Sequence, residues 1–364
     1  MTPLQVALNN LVQGHHLTTE EAAAAFGVVM RGEATADQIR ELLVGLKSKG
    51  ETADEIAGAA EALRAAMIRL PVTPHFAPRT SHSRPLVDTC GTGGGTVTTF
   101  NISTTAAFVA AGAGVPIAKH GNRSFTSRSG SADVLEALGV DIALSPERAA
   151  EVLADVGLAF LFAPNYHPAM RHVAPVRKEL KTATIMNLLG PLANPAGVTR
   201  QVLGVSDAAR GPLVAEALGR LGAVHALVVH AEVGMDEISP AGVTHVWELG
   251  SSRAGHRSQV TGHSAPGITE WDLRPETFDL RHDDLGALKG GEPAENAERL
   301  ERLLSDASTD PAGRAAVLLN AAAAIYVSGP AMEFGEAVES AKEAMEQGRA
   351  LRVLEALKNS ARRA

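Results

Sequence analysis

The chain has 364 residues, of which 45% are hydrophobic and 20% charged, and its formal net charge at pH 7 is −8. This length and apolar content predict two domains with true cores and exclude global disorder. The single cysteine, Cys90, excludes a disulfide framework and a cysteine-based zinc site. The acidic balance without a basic run argues against nucleic acid as a partner. With neither a signal peptide nor a membrane-spanning segment in the pattern, we expect a cytoplasmic protein that has no membrane partner.

Residues 1–72 are predicted to form an all-helical domain. Three capping boxes each precede an apolar-periodic stretch, and they pair Thr18 with Glu21, Thr35 with Gln38 and Thr52 with Glu55. The proline-rich segment 71–85 is predicted to be a linker and a hinge. Helices from about 166–195 are expected to join the first domain.

Residues 73–364 are predicted to form a larger α/β domain. Short apolar runs such as 158–162 and 226–229 alternate with helical stretches, which favours a central, mostly parallel sheet flanked by helices. The polar segment from about 251–310 is predicted to form surface strands and loops. Helix is predicted to return at 315–327 and again at 337–357.

A glycine-rich loop follows the first predicted strand of this domain. Four of the five residues in 91–95 are glycine, and Asn101 opens the next helix. Glycine lets backbone N–H groups approach an anion, and a helix N-terminus adds positive potential. The spacing matches neither the P-loop nor the dinucleotide-binding pattern. The loop therefore predicts a phosphate site, with a structural tight turn as the alternative, while Cys90 is predicted to be a packing residue.

A second polar loop, residues 119–131, follows another apolar strand. Lysine, arginine, hydroxyl and amide side chains collect there, at the carboxyl end of a strand, where open α/β sheets bind their ligands. Such a set suits a polyanion, and a solvated turn before the next helix is the alternative.

Five segments together resemble a known family. They are the glycine loop with N-I-S-T, the K-H-G-N-R loop with S-G-S-A-D-V-L-E-A-L-G, F-A-P-N-Y-H-P-A-M-R-H-V-A-P-V-R-K-E-L, M-N-L-L-G-P-L-A-N-P and M-D-E-I-S. In this order they resemble the anthranilate phosphoribosyltransferases over nearly the whole chain. The resemblance implies transfer of the 5-phosphoribosyl group of phosphoribosyl diphosphate (PRPP) to the amine of anthranilate, within the nucleoside phosphorylase and phosphoribosyltransferase fold family.

The resemblance also implies a PRPP site. Its diphosphate part would be held by Gly91, Gly94, Gly95, Asn101, Ile102, Ser103 and Thr104. Its ribose and phosphates would be held by Lys119, His120, Gly121, Asn122, Arg123, Ser127 and Ser131. Lys119, His120 and Arg123 are the implied catalytic residues, with His120 as the one candidate for a general base. One departure is that Gly95 stands where the family usually has aspartate.

The acceptor and metal sites follow from the same resemblance. Anthranilate would be bound by Gly91, Asn122, Arg177 and Pro191, with His167 and Met170 lining the outer channel, and the Arg177 guanidinium would hold its carboxylate. An isolated Asp236-Glu237 pair would more often be two solvated acids. By resemblance, Asp236, Glu237 and the Ser103 hydroxyl bind Mg²⁺. A homodimer through the helical domains is implied as well.

Two other functions remain open from the residues. A pyrimidine nucleoside phosphorylase shares the fold and a glycine-rich phosphate loop, but it needs neither the Arg177 block nor the acids at 236–237. A nucleic-acid-binding relative without transferase activity would show a basic stripe, which the net charge of −8 disfavours.

Overall fold

The computed structural model of this chain describes residues 1–71, 85–124, 128–250, 267–329 and 333–360. Residues 72–84 of the predicted linker lie outside these ranges. Four helices open the chain: α1 (Pro3–Val12), α2 (Thr19–Met30), α3 (Ala36–Lys49) and α4 (Ala53–Ala65). All three predicted capping boxes are confirmed, because Thr18, Thr35 and Thr52 each cap the helix they precede.

The sheet is built from seven strands. They are β1 (Val87–Gly91), β2 (Ile117–Gly121), β3 (Leu158–Phe162), β4 (Arg200–Gly204), β5 (His225–Ala231), β6 (Thr244–Leu249) and β7 (Ile268–Leu273). Their order is β3-β2-β1-β4-β5-β6-β7. The first five strands of this order run parallel, and β6 and β7 add an antiparallel edge. The predicted fold class, a helical N-terminal part and a mostly parallel sheet flanked by helices, is confirmed.

Eleven further α-helices lie in the described part of the α/β region. They are α5 (Ile102–Gly112), α6 (Ser131–Ala137), α7 (Pro146–Val156), α8 (Ala163–Tyr166), α9 (Ala174–Leu180), α10 (Met186–Leu192), α11 (Gly211–Arg220), α12 (Pro293–Ser305), α13 (Pro311–Ser328), α14 (Phe334–Glu346) and α15 (Arg349–Ser360). No helix among the described residues is both long and apolar enough to cross a membrane.

Two sequence predictions about these helices were wrong. The segment expected to hold only strands and loops contains α12, a polar helix whose buried stripe of Ala297, Leu300, Leu303 and Leu304 repeats at helical spacing. The helix predicted over 337–357 is two helices, because Gly348 takes a positive φ of 65° between α14 and α15. A left-handed residue at that point ends one helix and redirects the chain.

Two hydrophobic cores lie on opposite faces of the sheet. Val229 of β5 faces the core that contains α5 and α13, whereas Val228 faces the core that contains α2, α4, α10 and α11. This alternation along a strand buries both faces. The second core also includes Val173, Val176 and Ile185, so the segment around 166–195 packs with the N-terminal helices.

Glu55 connects the N-terminal helices. Its carboxylate is fully buried and accepts hydrogen bonds from the N–H groups of Leu17 and Thr52 and from Lys49 Nζ, each at 2.9 Å. Removing one member of a buried charged pair leaves the other charge and its donors without partners.

We therefore expect Glu55→Ala to lower the free energy of unfolding by about 3 kcal/mol. The control Thr18→Ala removes an exposed helix cap and should cost about 1 kcal/mol. Denaturant unfolding of both variants measures the two losses. Equal losses would contradict the role given to Glu55.

Candidate active site

The predicted ligand loops leave the sheet where its strand order changes direction. Strands β2 and β3 extend the sheet on one side of β1, and β4 and β5 extend it on the other. Crevices that bind ligands in open α/β sheets form at the carboxyl ends of strands at such a point. The two sides are tied by hydrogen bonds from Thr92 N to Gly204 O, at 2.9 Å, and from Ser206 N to Thr92 Oγ1, at 3.2 Å.

The glycine loop packs tightly against the segment that follows β5. Gly93 and Gly94 adopt φ of 68° and 85°, which L-residues with side chains rarely adopt. A Cβ on Gly91 would lie 2.5 Å from Asp236 Oδ2, and one on Gly95 would lie 2.8 Å from the Gly234 carbonyl oxygen. An aspartate at position 95 would therefore require the backbone at Gly234 to move, which gives a local reason for the departure from the family pattern.

The carboxyl groups of Asp236 and Glu237 accept hydrogen bonds from backbone N–H groups at this edge of the sheet. Asp236 Oδ2 accepts a hydrogen bond from Gly93 N at 2.7 Å, and Glu237 Oε1 accepts one from Ser103 N, in the first turn of α5, at 2.9 Å. Thr99 Oγ1 also donates to Glu237 Oε2 at 3.1 Å. The two acids therefore bridge the glycine loop and the N-terminus of α5.

Burial dominates the electrostatics of these two acids. It raises the pKa of Asp236, and it raises the pKa of Glu237 to about 8, with the neighbouring Asp236 charge as the second cause. Two adjacent, half-buried carboxyl groups beside a serine hydroxyl form a set of hard oxygen donors. Magnesium usually takes only one or two protein carboxylates, with water and phosphate oxygens completing its shell. The residues therefore fit Mg²⁺, although no group of three or more His, Cys, Asp or Glu among the described residues would hold a metal by itself.

Lys119 is buried between the two loops. Its Nζ donates to Thr89 O at 2.6 Å and to Ser103 Oγ at 2.7 Å, and only 4% of the residue is exposed. Burial lowers the pKa of Lys119, while the nearby carboxylates, Asp88 first among them, oppose that shift. The lysine thus brings a cation to the residues that the sequence pattern assigned to phosphate.

The second loop is held by other protein groups. The Arg123 guanidinium is exposed and pairs with Asp133 and Glu136 on α6, so protein carboxylates already occupy it. Gly121 leaves no room for a Cβ, which would lie 2.2 Å from Ser131 Oγ. Ser127 lies outside the described residues.

Asn101 connects the two loops to α12. Its Oδ1 accepts hydrogen bonds from Ser129 Oγ at 3.2 Å and from Asn296 Nδ2 at 3.0 Å. Ile102 and Thr104 are buried, and the Ile102 side chain belongs to the core that contains α5 and α13. Asn296 was missed from the sequence because α12 was not predicted.

His120 and His167 form a buried pair. His120 Nδ1 lies 3.2 Å from Gly190 O, and the two Nε2 atoms are 3.1 Å apart. Burial lowers the pKa of His120 to about 3 and that of His167 to about 4, so both rings are neutral. A carbonyl only accepts, so His120 carries its proton on Nδ1, and its Nε2 accepts from His167. Both nitrogens of His120 are therefore engaged by the protein.

Arg177 lies on α9, ten residues after His167. It is half-buried, burial lowers its pKa, and its guanidinium has no hydrogen-bond or ion-pair partner within the part of the chain that the structure describes. A half-buried arginine without a carboxylate is suited to an anionic ligand group. Met170 packs at the edge of the second core, and the Pro191 carbonyl accepts from Gln201 Nε2 at 2.7 Å.

The environment of Cys90 agrees with the prediction that it is a packing residue. Cys90 Sγ accepts a hydrogen bond from Gln201 Nε2 at 3.1 Å, and burial raises the pKa of the thiol well above its ordinary value. A thiol in that state is a poor nucleophile.

Comparison with known families covers almost the entire chain. Residues 5–67 match the helical bundle domain of a glycosyl transferase family, and residues 83–351 match its α/β domain. The anthranilate phosphoribosyltransferase of Rubrobacter xylanophilus is 45% identical over 360 residues, which is 99% of this chain and 98% of that protein.

Comparison with solved structures leads to the same family. The anthranilate phosphoribosyltransferase of Thermus thermophilus superposes with a TM-score of 0.86 at 43% identity, over 98% of this chain and 99% of that one. The enzyme of Saccharomyces cerevisiae in complex with PRPP and Mg gives a TM-score of 0.84 at 28% identity, and its complex with 4-fluoroanthranilate gives 0.82 at 27%. Each of these two covers 99% of this chain and 98% of the yeast chain. The chain therefore belongs to the anthranilate phosphoribosyltransferase family, glycosyltransferases of tryptophan biosynthesis that join the 5-phosphoribosyl group of PRPP to the amine of anthranilate.

Proposed function

We propose that the edge formed by the glycine loop, the start of α5, Lys119 and the Asp236-Glu237 pair binds the diphosphate of PRPP. The observation that carries this proposal is that both carboxylates already sit on backbone N–H groups, those of Gly93 and Ser103. N–H groups that donate to a carboxyl oxygen have the geometry and polarity to donate to a phosphate oxygen.

Catalysis then follows from position and charge. The acceptor is already an amine, so an activated serine or cysteine is not needed. Holding that amine in line with C1′ of the ribose makes the reaction effectively unimolecular. Lys119 and the N–H groups of the glycine loop stabilise negative charge on the departing diphosphate.

His120 acts in this proposal by positioning. Its Nδ1–H is bound to Gly190 O and its Nε2 to His167, so no free lone pair faces an incoming amine. Arg123 reaches the ligand only if its guanidinium leaves Asp133 and Glu136. Arg177 receives the carboxylate of anthranilate, and Asn122, Gly91, Pro191, His167 and Met170 complete the acceptor site.

Mg²⁺ belongs to the same proposal. Asp236, Glu237 and the Ser103 hydroxyl would hold it, and when bound it would supply charge compensation for the diphosphate. The yeast enzyme with PRPP and Mg supports this cofactor for the family.

The assembly and location are also proposals. We propose a homodimer that works in the cytoplasm, with a helical domain of residues 1–72 plus helices from about 166–195 and an α/β domain made of the rest. Val6 and Val12 on α1 and Val44 on α3 are exposed apolar side chains on adjacent helices, which supports contact with a second copy there.

The direct test is the loss of anthranilate fluorescence when enzyme, PRPP and Mg²⁺ are mixed. We expect turnover that depends on all three. Phosphorolysis of a pyrimidine nucleoside, with no loss of anthranilate, would favour the nucleoside phosphorylase instead. Salt-dependent binding of DNA without turnover would favour the nucleic-acid-binding relative.

Replacement of Arg177 tests the acceptor site. Arg177→Ala should raise KM for anthranilate about tenfold to a hundredfold, because a charge-assisted hydrogen bond is lost, while KM for PRPP changes little. Arg177→Lys should not restore it, since lysine lacks the planar fork. Arg171→Ala, at an exposed neighbouring arginine, is the control in the same steady-state assay. Equal increases in both KM values would refute the carboxylate role.

Replacement of the two acids tests the metal site. Asp236→Asn and Glu237→Gln should each raise the Mg²⁺ concentration for half-maximal rate by at least about tenfold, since even outer-shell changes alter metal affinity by that factor. Initial rates against Mg²⁺ measure the shift. The control is Glu232→Gln, an exposed acid that pairs with His245. An unchanged metal titration in both variants would exclude these ligands.

A further inference from the structure

The pairing of β1 with β2 stops after one residue pair. Val87 pairs with Ile117, whereas on its other side β1 pairs with β4 over its full length, from Val87 with Arg200 to Gly91 with Gly204. The short ladder begins normally, since Val87 N donates to Pro116 O at 3.0 Å. Beyond this point the two strands lack the ladder that a parallel pair would have.

The register shows which groups a longer ladder would use. In a parallel pair, a residue donates to the residue before its partner and accepts from the residue after it. The next pair would be Thr89 with Lys119, so the Ala118 carbonyl and the His120 N–H would both bond to the Thr89 backbone. Buried backbone groups that lose such partners need others.

Side chains supply those partners. His120 N donates to Asp88 Oδ1 at 3.2 Å, and Asn194 Nδ2 donates to Ala118 O at 2.8 Å. Thr89 O accepts from Lys119 Nζ at 2.6 Å. Asp88 and Asn194 are buried, with 0% and 4% exposure, so water does not serve these groups instead.

The gap lies where the site needs space. The glycine loop begins at the end of β1 and the second loop at the end of β2, so the separation of the two strands sets the separation of the two loops. Lys119, at the centre of the gap, also contacts Ser103 Oγ at the start of α5. Strands that paired to their ends would bring the loops together and displace the lysine from Thr89.

We propose that Asp88 and Asn194 are positioning residues, which hold the carboxyl ends of β1 and β2 apart by taking the place of ladder hydrogen bonds, so that the slot between the two loops admits the phosphoribosyl group. The proposal rests on the proposed function for the identity of the ligand. The two residues act through the backbone of β2 and do not touch the substrate.

The test combines kinetics with hydrogen exchange on the full-length protein without ligand. Asp88→Ala and Asn194→Ala should raise KM for PRPP about tenfold, because each removes one hydrogen bond that fixes the slot. Asp88→Asn keeps an oxygen that accepts from His120 N, so it should stay within about threefold of the wild type. In Asp88→Ala, exchange should become faster in residues 117–124 and stay unchanged in β4 and β5.

Ser328→Ala removes a buried hydroxyl that donates to Ile325 O in α13, and it controls for a general loss of stability. The proposal is overturned if exchange in 117–124 is unchanged in Asp88→Ala, if it rises equally in β4 and β5, or if Asp88→Asn is as impaired as Asp88→Ala. If the wild type itself does not take PRPP, the proposed function fails, and the exchange measurement still decides whether the two side chains hold the strands apart.

Discussion

Backbone N–H groups in the glycine loop and in the first turn of α5 need hydrogen-bond acceptors, and this constraint organises the candidate site. The carboxyl groups of Asp236 and Glu237 supply them by accepting from Gly93 N and Ser103 N. When ionised, these two acids would repel a bare diphosphate. In the proposed site Asp236, Glu237 and the Ser103 hydroxyl would hold Mg²⁺, which when bound would supply positive charge that compensates the acids and the diphosphate.

The fold provides this edge through its strand order. Because β1 and β4 are neighbours while the chain continues from β1 to β2 on one side and from β4 to β5 on the other, the loops that follow β1 and β4 leave the sheet at the point where open α/β sheets bind ligands. The N-terminal helices and the segment around α9 and α10 share a core on one face of the sheet. This segment carries Arg177, and His167 just before it contacts His120 at the end of β2. In the proposed mechanism these groups need only hold the substrates in place, because the acceptor is already an amine.

Much of the fold and of the candidate site could be predicted, because the patterns that indicate them lie within short stretches of sequence. The capping boxes, the strand alternation and the glycine loop each depend on residues within about ten positions of one another. Asp88 and Asn194 have no such pattern, since their role arises from a ladder that ends early between two strands distant in sequence. Asn296 was not predicted because α12 is mostly polar, and the ion pair of Arg123 with Glu136 depends on the position of α6. The family resemblance implied His120 as the one candidate for a general base, but its burial against His167 and Gly190 could only come from tertiary structure.

Calorimetric titration of the wild-type protein with PRPP is the most direct measurement of whether this edge of the sheet is a metal-dependent diphosphate site. The titration is run once with Mg²⁺ and once with a chelator, at the same pH and ionic strength. The arrangement of the two acids on the glycine loop and α5 predicts saturable binding with Mg²⁺ and much weaker binding with chelator. Equal affinity under both conditions, or no heat of binding to folded protein when Mg²⁺ is present, would contradict it.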